Sequence, residues 1–163
     1  MTDDAAGIAA LDERIPFLLS QLGSHIANAF HSRMSDIGVE PRTYAVLMAL
    51  ATQDGQSQRE LCARLDIHRN AMVSLVDALE AQDMVKRKTH PGDRRAFAIT
   101  LTNKARRLLP TLDQAGRALE DAVTAPLSAV ERDALRELLQ RVAAGAGLIP
   151  GVHPGLNGGG AAR

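Results

Sequence analysis

The sequence predicts a mainly α-helical protein with one small β-ribbon. Hydrophobic residues make up 45% of the 163 positions, but the chain has only three phenylalanines, one tyrosine and no tryptophan, so an aliphatic core is expected. Leucine and alanine favour helices over sheets. Apolar residues recur every three or four positions along most of the chain, whereas alternation is found near residues 96–101. One domain with flexible ends fits this length.

The first half of the chain carries the signals of three helices. Residues 12–37 place apolar side chains at helical spacing, which predicts a long first helix. A second helix is expected to start at Pro41, because proline fits the first turn, and to end near Gly55. Ser57 and Glu60 then match a capping box, in which each side chain caps the other residue's backbone N–H. A short third helix should therefore begin there.

A fourth helix and two strands are predicted next. The helix covers about residues 69–82, and the strands cover about 84–89 and 96–101. Alternation along the second strand predicts one buried face. Three apolar residues are expected on that face: Phe97, Ile99 and Leu101.

Two further helices are predicted after the strands. One covers about residues 103–122 and contains Pro110, which should bend it. The other begins at a second capping box, Ser128 with Glu131, and ends near residue 144. These helices carry more apolar residues than one small domain can cover. The residues expected to need a partner surface are Leu108, Leu109, Leu112, Leu119, Val123, Leu127, Leu135, Leu138, Leu139 and Val142.

The turn between the two strands is strongly basic. The formal net charge of the chain is zero, so this cluster reflects local segregation of charge. Asp93 is the only acid among the basic residues Lys86, Arg87, Lys88, Arg94 and Arg95. A two-stranded ribbon with arginines at its tip suits a groove in duplex DNA, which is therefore the expected partner.

The order of short helix, tight turn, helix and hairpin predicts a winged helix-turn-helix. In that motif the second helix of the pair enters the major groove. Arginine can bind guanine and asparagine can bind adenine, each through two hydrogen bonds. The outward residues of that helix are expected to be Arg69, Asn70, Val73 and Ser74. The alternative is that Arg69 and Asn70 are ordinary solvated or capping residues.

Residues 57–105 resemble the MarR (multiple antibiotic resistance regulator) family of dimeric transcription factors. The resemblance is carried by the run VSLVDALEAQDMVKR and by the run HPGDRRAFAITLT, in which Asp-Arg-Arg precedes a strand ending in Leu-Thr. The flanking helices extend it over about residues 12–144. Two departures are Asp83, where the family usually has glycine, and His68, where it often has a serine or threonine cap.

The resemblance implies roles for the wing residues. Arg95 would reach into the minor groove, where a narrow groove concentrates negative potential, and Asp93 would hold it by a short ion pair. Arg94, Lys86 and Lys88 would mostly contact phosphates, which adds affinity without sequence information. Arg87 is expected to be structural and to pair with Asp77 or Glu80. Ser57 and Gln58, at the start of the third helix, could offer backbone N–H groups to a phosphate.

The resemblance also implies a dimer and a ligand. The N- and C-terminal helices would build an intertwined two-fold dimer that reads pseudo-palindromic DNA. Small aromatic or lipophilic compounds would bind between these helices and the DNA-binding lobe and release a repressor. Candidate contacts are Gln21, His25, Asn28, Arg42 and Tyr44. The alternative is that His25 is an ordinary helix histidine and Tyr44 a core residue.

The sequence also predicts the domain organisation and the cellular location of the protein. The flexible N-terminus would cover residues 1–11, the regulator 12–144 and a glycine- and proline-rich flexible tail 145–163; the DNA-binding lobe would cover about 40–101, and the dimerisation helices about 12–37 and 103–144. A single cysteine excludes an internal disulfide, the acidic start is unlike a signal peptide, and no apolar run spans a bilayer, so a cytoplasmic protein is expected.

Two other functions stay open from the sequence. Cys62 could make the protein a thiol-based redox regulator, although its place between two leucines favours a buried, inert thiol. A winged-helix module for protein–protein contact is the other alternative. The five histidines show no pair at helical spacing, so no metal or other cofactor is expected. No nucleophile–base set or phosphate-binding glycine loop is found, so no enzyme is expected.

Overall fold

Terminal helices flank a lobe of short helices and a small sheet. The computed structural model describes residues 7–157 of the chain. The elements are α1 (Ala9–Asp12), α2 (Ile15–Ile37), α3 (Pro41–Thr52), β1 (Gln56–Ser57), α4 (Gln58–Leu65), α5 (Arg69–Ala81), β2 (Val85–His90), β3 (Asp93–Leu101), α6 (Asn103–Val123), α7 (Ala129–Gly145) and a final 3-10 turn (Pro154–Asn157). The predicted mainly α-helical fold with a small ribbon is confirmed.

Short polar side chains fix the start of three helices. The hydroxyl of Ser57 accepts the N–H of Glu60 at 3.2 Å, and the Glu60 carboxylate accepts the N–H of Ser57 at 2.7 Å. Ser128 and Glu131 repeat this arrangement at α7. Thr102 accepts the N–H of Ala105 at 3.1 Å and so caps α6. Both predicted capping boxes are confirmed.

The sheet has three strands in the order β1-β3-β2, and both pairings are antiparallel. The two-residue strand β1 was not predicted. It pairs Gln56 with Ile99 and Ser57 with Ala98, so the central strand β3 is flanked on both sides only near its end.

The prediction that Phe97 lies on the buried face of β3 is wrong. Ile99 and Leu101 are buried as expected, but Phe97 is 56% exposed and Ala98 is only 4% exposed. Phe97 lies one residue beyond the part of β3 that β1 covers, so neither β1 nor the underlying core shields its ring. Small Ala98 is enclosed because strands lie on both sides of it.

The core lies where α3, α4 and α5 meet the sheet and the start of α6. Asp83 stands in the left-handed region at φ 55° between α5 and β2, as aspartate tolerates better than most residues. The side chains with essentially no exposed surface are Met34, Val46, Leu47, Leu50, Leu61, Met72, Val76, Leu79, Val85, Ile99 and Leu112. This single aliphatic cluster holds α5 and the ribbon to one body.

The terminal helices divide into a packed part and an exposed part. α2 packs against α6, and Leu112 and Leu119 of α6 are buried within this chain. By contrast, α7 has no buried residue among those the structure describes. Its exposed apolar side chains are Val130, Leu135, Leu138, Leu139 and Val142. A second exposed apolar set lies on α1 and the first half of α2, at Leu11, Ile15, Phe17, Leu19 and Leu22, so the apolar surface without an intramolecular partner lies on both terminal segments.

Both predicted flexible ends contain ordered turns within the described residues. α1 falls partly within the predicted segment 1–11, and the 3-10 turn falls within the predicted tail 145–163. Leu156 of that tail is only 8% exposed and belongs to the core cluster. Residues 1–6 and 158–163 lie outside the described residues, and the predicted domain bounds stay predictions.

Candidate nucleic-acid interface

The second helix of the helix-turn-helix presents a polar face to solvent. Met72, Val76 and Leu79 are buried on the inner side of α5. The four predicted outward residues are all exposed: Arg69, Asn70, Val73 and Ser74. The structure therefore brings the candidate base-reading side chains together on one face, near the start of the helix.

The start of α5 is held by backbone and packing contacts. His68 occupies the cap position but makes no side-chain cap hydrogen bond. The hydroxyl of Ser74 donates to the carbonyl of Asn70 at 3.2 Å, one turn back. His68 therefore does not replace the side-chain cap that serine or threonine often provides at this position in the family.

Arg87 joins the wing to α5. Its guanidinium pairs with Asp77 at 2.5 Å and also with Glu80, and its backbone N–H donates to Glu80 at 3.2 Å. The Arg87 side chain is only 20% exposed. The backbone N–H and the guanidinium of Arg87 lower the pKa of Glu80 below its usual value. The predicted structural role of Arg87 is confirmed, with both carboxylates as partners.

The remaining basic residues of the wing face solvent. Lys88 and Arg95 are exposed, and neither forms an ion pair within the part of the chain that the structure describes. Lys86 is 4.0 Å from Asp83, and both side chains are about two-thirds exposed (64% and 65%), so this contact leaves the ammonium available. The side chain of Arg94 lies outside the described part of the structure.

The expected ion pair between Asp93 and Arg95 is wrong for this structure. The Asp93 carboxylate instead accepts the backbone N–H of Arg95 at 2.9 Å. An aspartate that closes a turn onto a backbone N–H two residues on is an ordinary turn device. The aspartate therefore fixes the backbone at the base of Arg95 and leaves its guanidinium free to reach outward.

Ser57 forms hydrogen bonds within the chain, and its expected phosphate contact stays a prediction. The N–H of Ser57 already donates to Glu60, and so does its hydroxyl, at 2.8 Å. The Ser57 backbone N–H and hydroxyl lower the pKa of Glu60, which keeps a negative charge at the start of α4. The Gln58 side-chain nitrogen is buried without a partner among the described residues, and the phosphate contact expected from the Gln58 backbone N–H stays a prediction.

Asp54 is a structural residue that the sequence did not reveal. Its carboxylate accepts the N–H of Leu101 at 2.9 Å and pairs with Arg106 at 2.5 Å. It thereby extends the pairing on the β1 side of β3 and ties β3 to α6. The contact spans 47 positions in the chain, and no local pattern marks it.

Comparison with known proteins agrees with this geometry. The family model described as MarR family matches residues 37–96. A solved structure of CouR from Rhodococcus jostii RHA1, bound to p-coumaroyl-CoA, is 30% identical and superposes with a TM-score of 0.69 over 82% of this chain and 94% of that chain. The chain belongs to the MarR family.

Two further relatives of this MarR-family chain are informative. A structure of the transcriptional repressor CouR bound to a 23-mer DNA duplex is 28% identical, with a TM-score of 0.73 over 85% of this chain and 98% of that chain. A transcriptional regulatory protein described for the hcr operon of Thauera aromatica is 33% identical over 105 residues. That match spans 64% of this chain and 63% of the relative's own length.

The MarR-family chain also has a cavity, open to solvent on one side, between α2, α3, α4 and its C-terminal segment. Its volume is about 1120 Å³. Arg42 and Tyr44 line it, whereas Gln21, His25 and Asn28 do not. The α2 residues that line it are Gly23, Ile26, Ala27, Phe30 and His31. The ligand contacts expected at Gln21, His25 and Asn28 stay predictions.

Tyr44 is packed as well as cavity-lining. Its ring meets the ring of Phe30 edge to face, with centroids 5.1 Å apart and planes at 78°. Burial, and then the charge of Asp113, raise the pKa of the phenol. Tyr44 is thus a neutral wall residue, and Arg42 is the cationic one of the predicted pair.

Cys62 is a free, partly buried thiol. Burial raises the pKa of the Cys62 thiol, while Arg69 opposes that effect. Among residues 7–157, no group of three or more His, Cys, Asp and Glu side chains is arranged to hold a metal ion. No helix in the same range combines the length and apolarity needed to cross a lipid bilayer.

Proposed function

We propose that this protein is a dimeric, sequence-specific DNA-binding transcriptional regulator, a repressor that a small aromatic or lipophilic ligand releases. The observation that carries the proposal is that Arg87 joins two exposed surfaces suited to DNA. One is the outer face of α5, and the other is the wing with Lys88 and Arg95. The similarity to a repressor bound to duplex DNA supports it.

In the proposed complex, α5 enters the major groove and the wing follows the adjacent minor groove. Arg69 and Asn70 would read base edges, while Lys86, Lys88 and Arg94 would contact phosphates. Arg95 would enter the minor groove, attracted by its negative potential. Duplex DNA as the partner also implies a cytoplasmic location.

The proposed dimer uses the exposed apolar surface of α7. Leu138 and Val142 are 54% and 55% exposed, and they lie four residues apart on one side of the helix. Burying such a stripe against a second copy removes it from water, which is the main favourable term in association. Two copies related by a two-fold axis would present two α5 helices to a pseudo-palindromic operator.

The proposed effector occupies the cavity beside α3. Its walls are largely apolar, and Arg42 supplies a positive charge. A ligand with an apolar ring or hydrocarbon chain and one anionic group would fit both the apolar walls and the charge of Arg42. The similarity to CouR bound to p-coumaroyl-CoA, an aromatic thioester, supports a ligand of this kind.

A salt titration tests the DNA-binding proposal. Fluorescence anisotropy with a labelled duplex would measure affinity between about 50 and 200 mM salt, where each neutralised phosphate changes affinity about 3.5-fold. Arg95→Ala should lower the slope of log affinity against log salt by about 0.9 for each wing, hence by about 1.8 in a dimer.

Arg117→Ala is the matched control for this titration. Arg117 is also an exposed arginine, 76% exposed and paired with Asp113 on α6, but it lies outside the wing. Its replacement should leave the slope unchanged. A protein that ignores duplex DNA at low salt would remove the proposal and favour the protein-interaction alternative.

A further inference from the structure

We propose that the C-terminal segment of residues 148–157, named here the strap, forms a wall of the cavity and contacts the ligand. The segment was expected to be a flexible tail. The inference that a ligand touches the strap rests on the proposed effector response, whereas the docking of the strap is independent of it. The ligand class is an apolar body that carries one anionic group.

The backbone of the strap is folded back by glycines. Gly147 and Gly151 both have a φ of 72°, in the left-handed region that glycine adopts without cost. The N–H of Leu148 donates to the carbonyl of Ala143 at 3.0 Å, which closes the end of α7. A further turn joins Val152 to Ile149 at 3.1 Å. These turns direct the chain towards α3 and α4.

Two apolar side chains anchor the strap. Leu156 is 8% exposed and belongs to the core cluster, and Val152 packs against that cluster. A glycine-rich segment loses much conformational freedom when it is ordered, so burial must offset that loss. Leu148, by contrast, is 45% exposed and does not line the cavity. The strap is therefore anchored between Val152 and Leu156 and not at its first residue.

The strap faces the cavity with mainly apolar atoms. Six of its residues in addition to Leu156 line the cavity: Ile149, Pro150, Gly151, Val152, His153 and Gly155. Arg42 and Arg64 line it from α3 and α4, together with Glu40. Within the described residues neither arginine forms an ion pair. The anionic group of a ligand could pair with these two arginines, and its apolar body would lie against the strap.

A close contact inside the strap gives a second way to disturb it. The N–H of Gly155 donates to Nδ1 of His153 at 3.0 Å. A Cβ atom at Gly155 would lie only 2.9 Å from that same nitrogen, so the imidazole would have to move. Gly155→Ala should therefore displace a cavity-lining side chain without removing any apolar anchor.

Thiol labelling tests whether the strap is docked. Leu156→Cys and Leu148→Cys would each be made in the full chain with Cys62→Ser, and their reaction with a chromogenic disulfide reagent would be timed. We expect the thiol at position 156 to react at least about tenfold more slowly, because it reacts only when the strap opens. Equal rates at the two positions would overturn the proposal.

Dye binding tests whether the strap is a wall of the site. The probe is 8-anilinonaphthalene-1-sulfonate, which has an apolar body and one anionic group. Leu156→Ser should weaken its binding about tenfold through lost apolar contact, and Gly155→Ala should weaken it too. Leu148→Ser, on the same segment but outside the cavity, should leave the affinity unchanged. Ala63→Phe should abolish the signal, since exposed Ala63 lines the cavity.

The outcomes separate this proposal from the proposed function. Unchanged or tighter dye binding by Leu156→Ser would overturn the strap as a ligand wall, as would a dye signal that survives Ala63→Phe. Either could occur in a protein that still binds duplex DNA. A third outcome is a protected thiol at position 156 and the expected loss of dye binding in a protein that does not bind DNA. This outcome would support the strap proposal and refute the proposed function.

Discussion

Replacing Asp54 should loosen the junction between the sheet and α6. Its carboxylate accepts the N–H of Leu101 at 2.9 Å and pairs with Arg106 at 2.5 Å. Strand β1 ends its pairing with β3 at Ile99, so no backbone carbonyl of β1 can take over the acceptor role. In Asp54→Ala the backbone N–H of Leu101 loses its acceptor, and Leu101 is only 6% exposed.

The contacts give the expected size of the effect. An unsatisfied buried donor costs about 1–3 kcal/mol of unfolding free energy. The Arg106 side chain is 52% exposed, so the lost ion pair adds only about 0–1 kcal/mol. We expect Asp54→Ala to lower the free energy of unfolding by about 1–4 kcal/mol. For a chain of this length, that corresponds to a fall in Tm of roughly 2–16 °C.

Asp54→Asn is the matched control, because an amide oxygen can still accept the N–H of Leu101. It should cost only about 0–1 kcal/mol. Urea denaturation would measure both variants at equal protein concentration, since the stability of the proposed dimer depends on concentration. If Asp54→Ala lies within about 0.5 kcal/mol of the parent, or if Asn is as harmful as Ala, the reasoning about the N–H is refuted.

Three further predictions concern single side chains. Arg69→Ala should cost about 1–3 kcal/mol on a cognate operator and little on unrelated duplex, as measured by anisotropy; equal losses on both would argue against base reading. Because Ser57 lowers the pKa of Glu60, that carboxylate stabilises the fold above its unfolded pKa of about 4.3, and the contribution disappears as the pH falls through the folded value. The stability difference between the parent and Glu60→Gln should therefore shrink in acid, and a difference that is constant with pH would contradict this. Burial raises the pKa of Cys62, so iodoacetamide should alkylate it more slowly than a small free thiol at neutral pH; equally fast reaction would restore the redox alternative.

Local patterns in the sequence were sufficient for most of the fold. Helix spacing, the two serine capping boxes and the basic turn predicted each long helix and both long strands to within a few residues. The partners of Arg87 followed from the position of Asp77 and Glu80 one turn apart on the preceding helix. These features depend on residues that are close together in the chain, so local sequence patterns can predict them.

Features that depend on distant contacts were missed. Strand β1 is two residues long and carries no period, and Asp54 acts on a residue 47 positions away. The α2 residues that line the cavity are mostly apolar, so a choice of candidates by polarity, as at His25, did not identify them. Leu156 was assigned to a flexible tail because glycine and proline surround it, and only the tertiary structure supplies the core that buries it.

The pairing of Arg87 with α5 has a consequence for the DNA sequences that this protein can accept. Because the guanidinium fastens the ribbon to the helix, the proposed complex would fix, within one protomer, the distance between the bases read in the major groove and those read in the adjacent minor groove. Inserting a base pair inside one half of an operator should therefore abolish recognition of that half. In the proposed dimer, the gap between the two halves would depend instead on the helices that join the protomers, so it is where natural binding sites would differ in length.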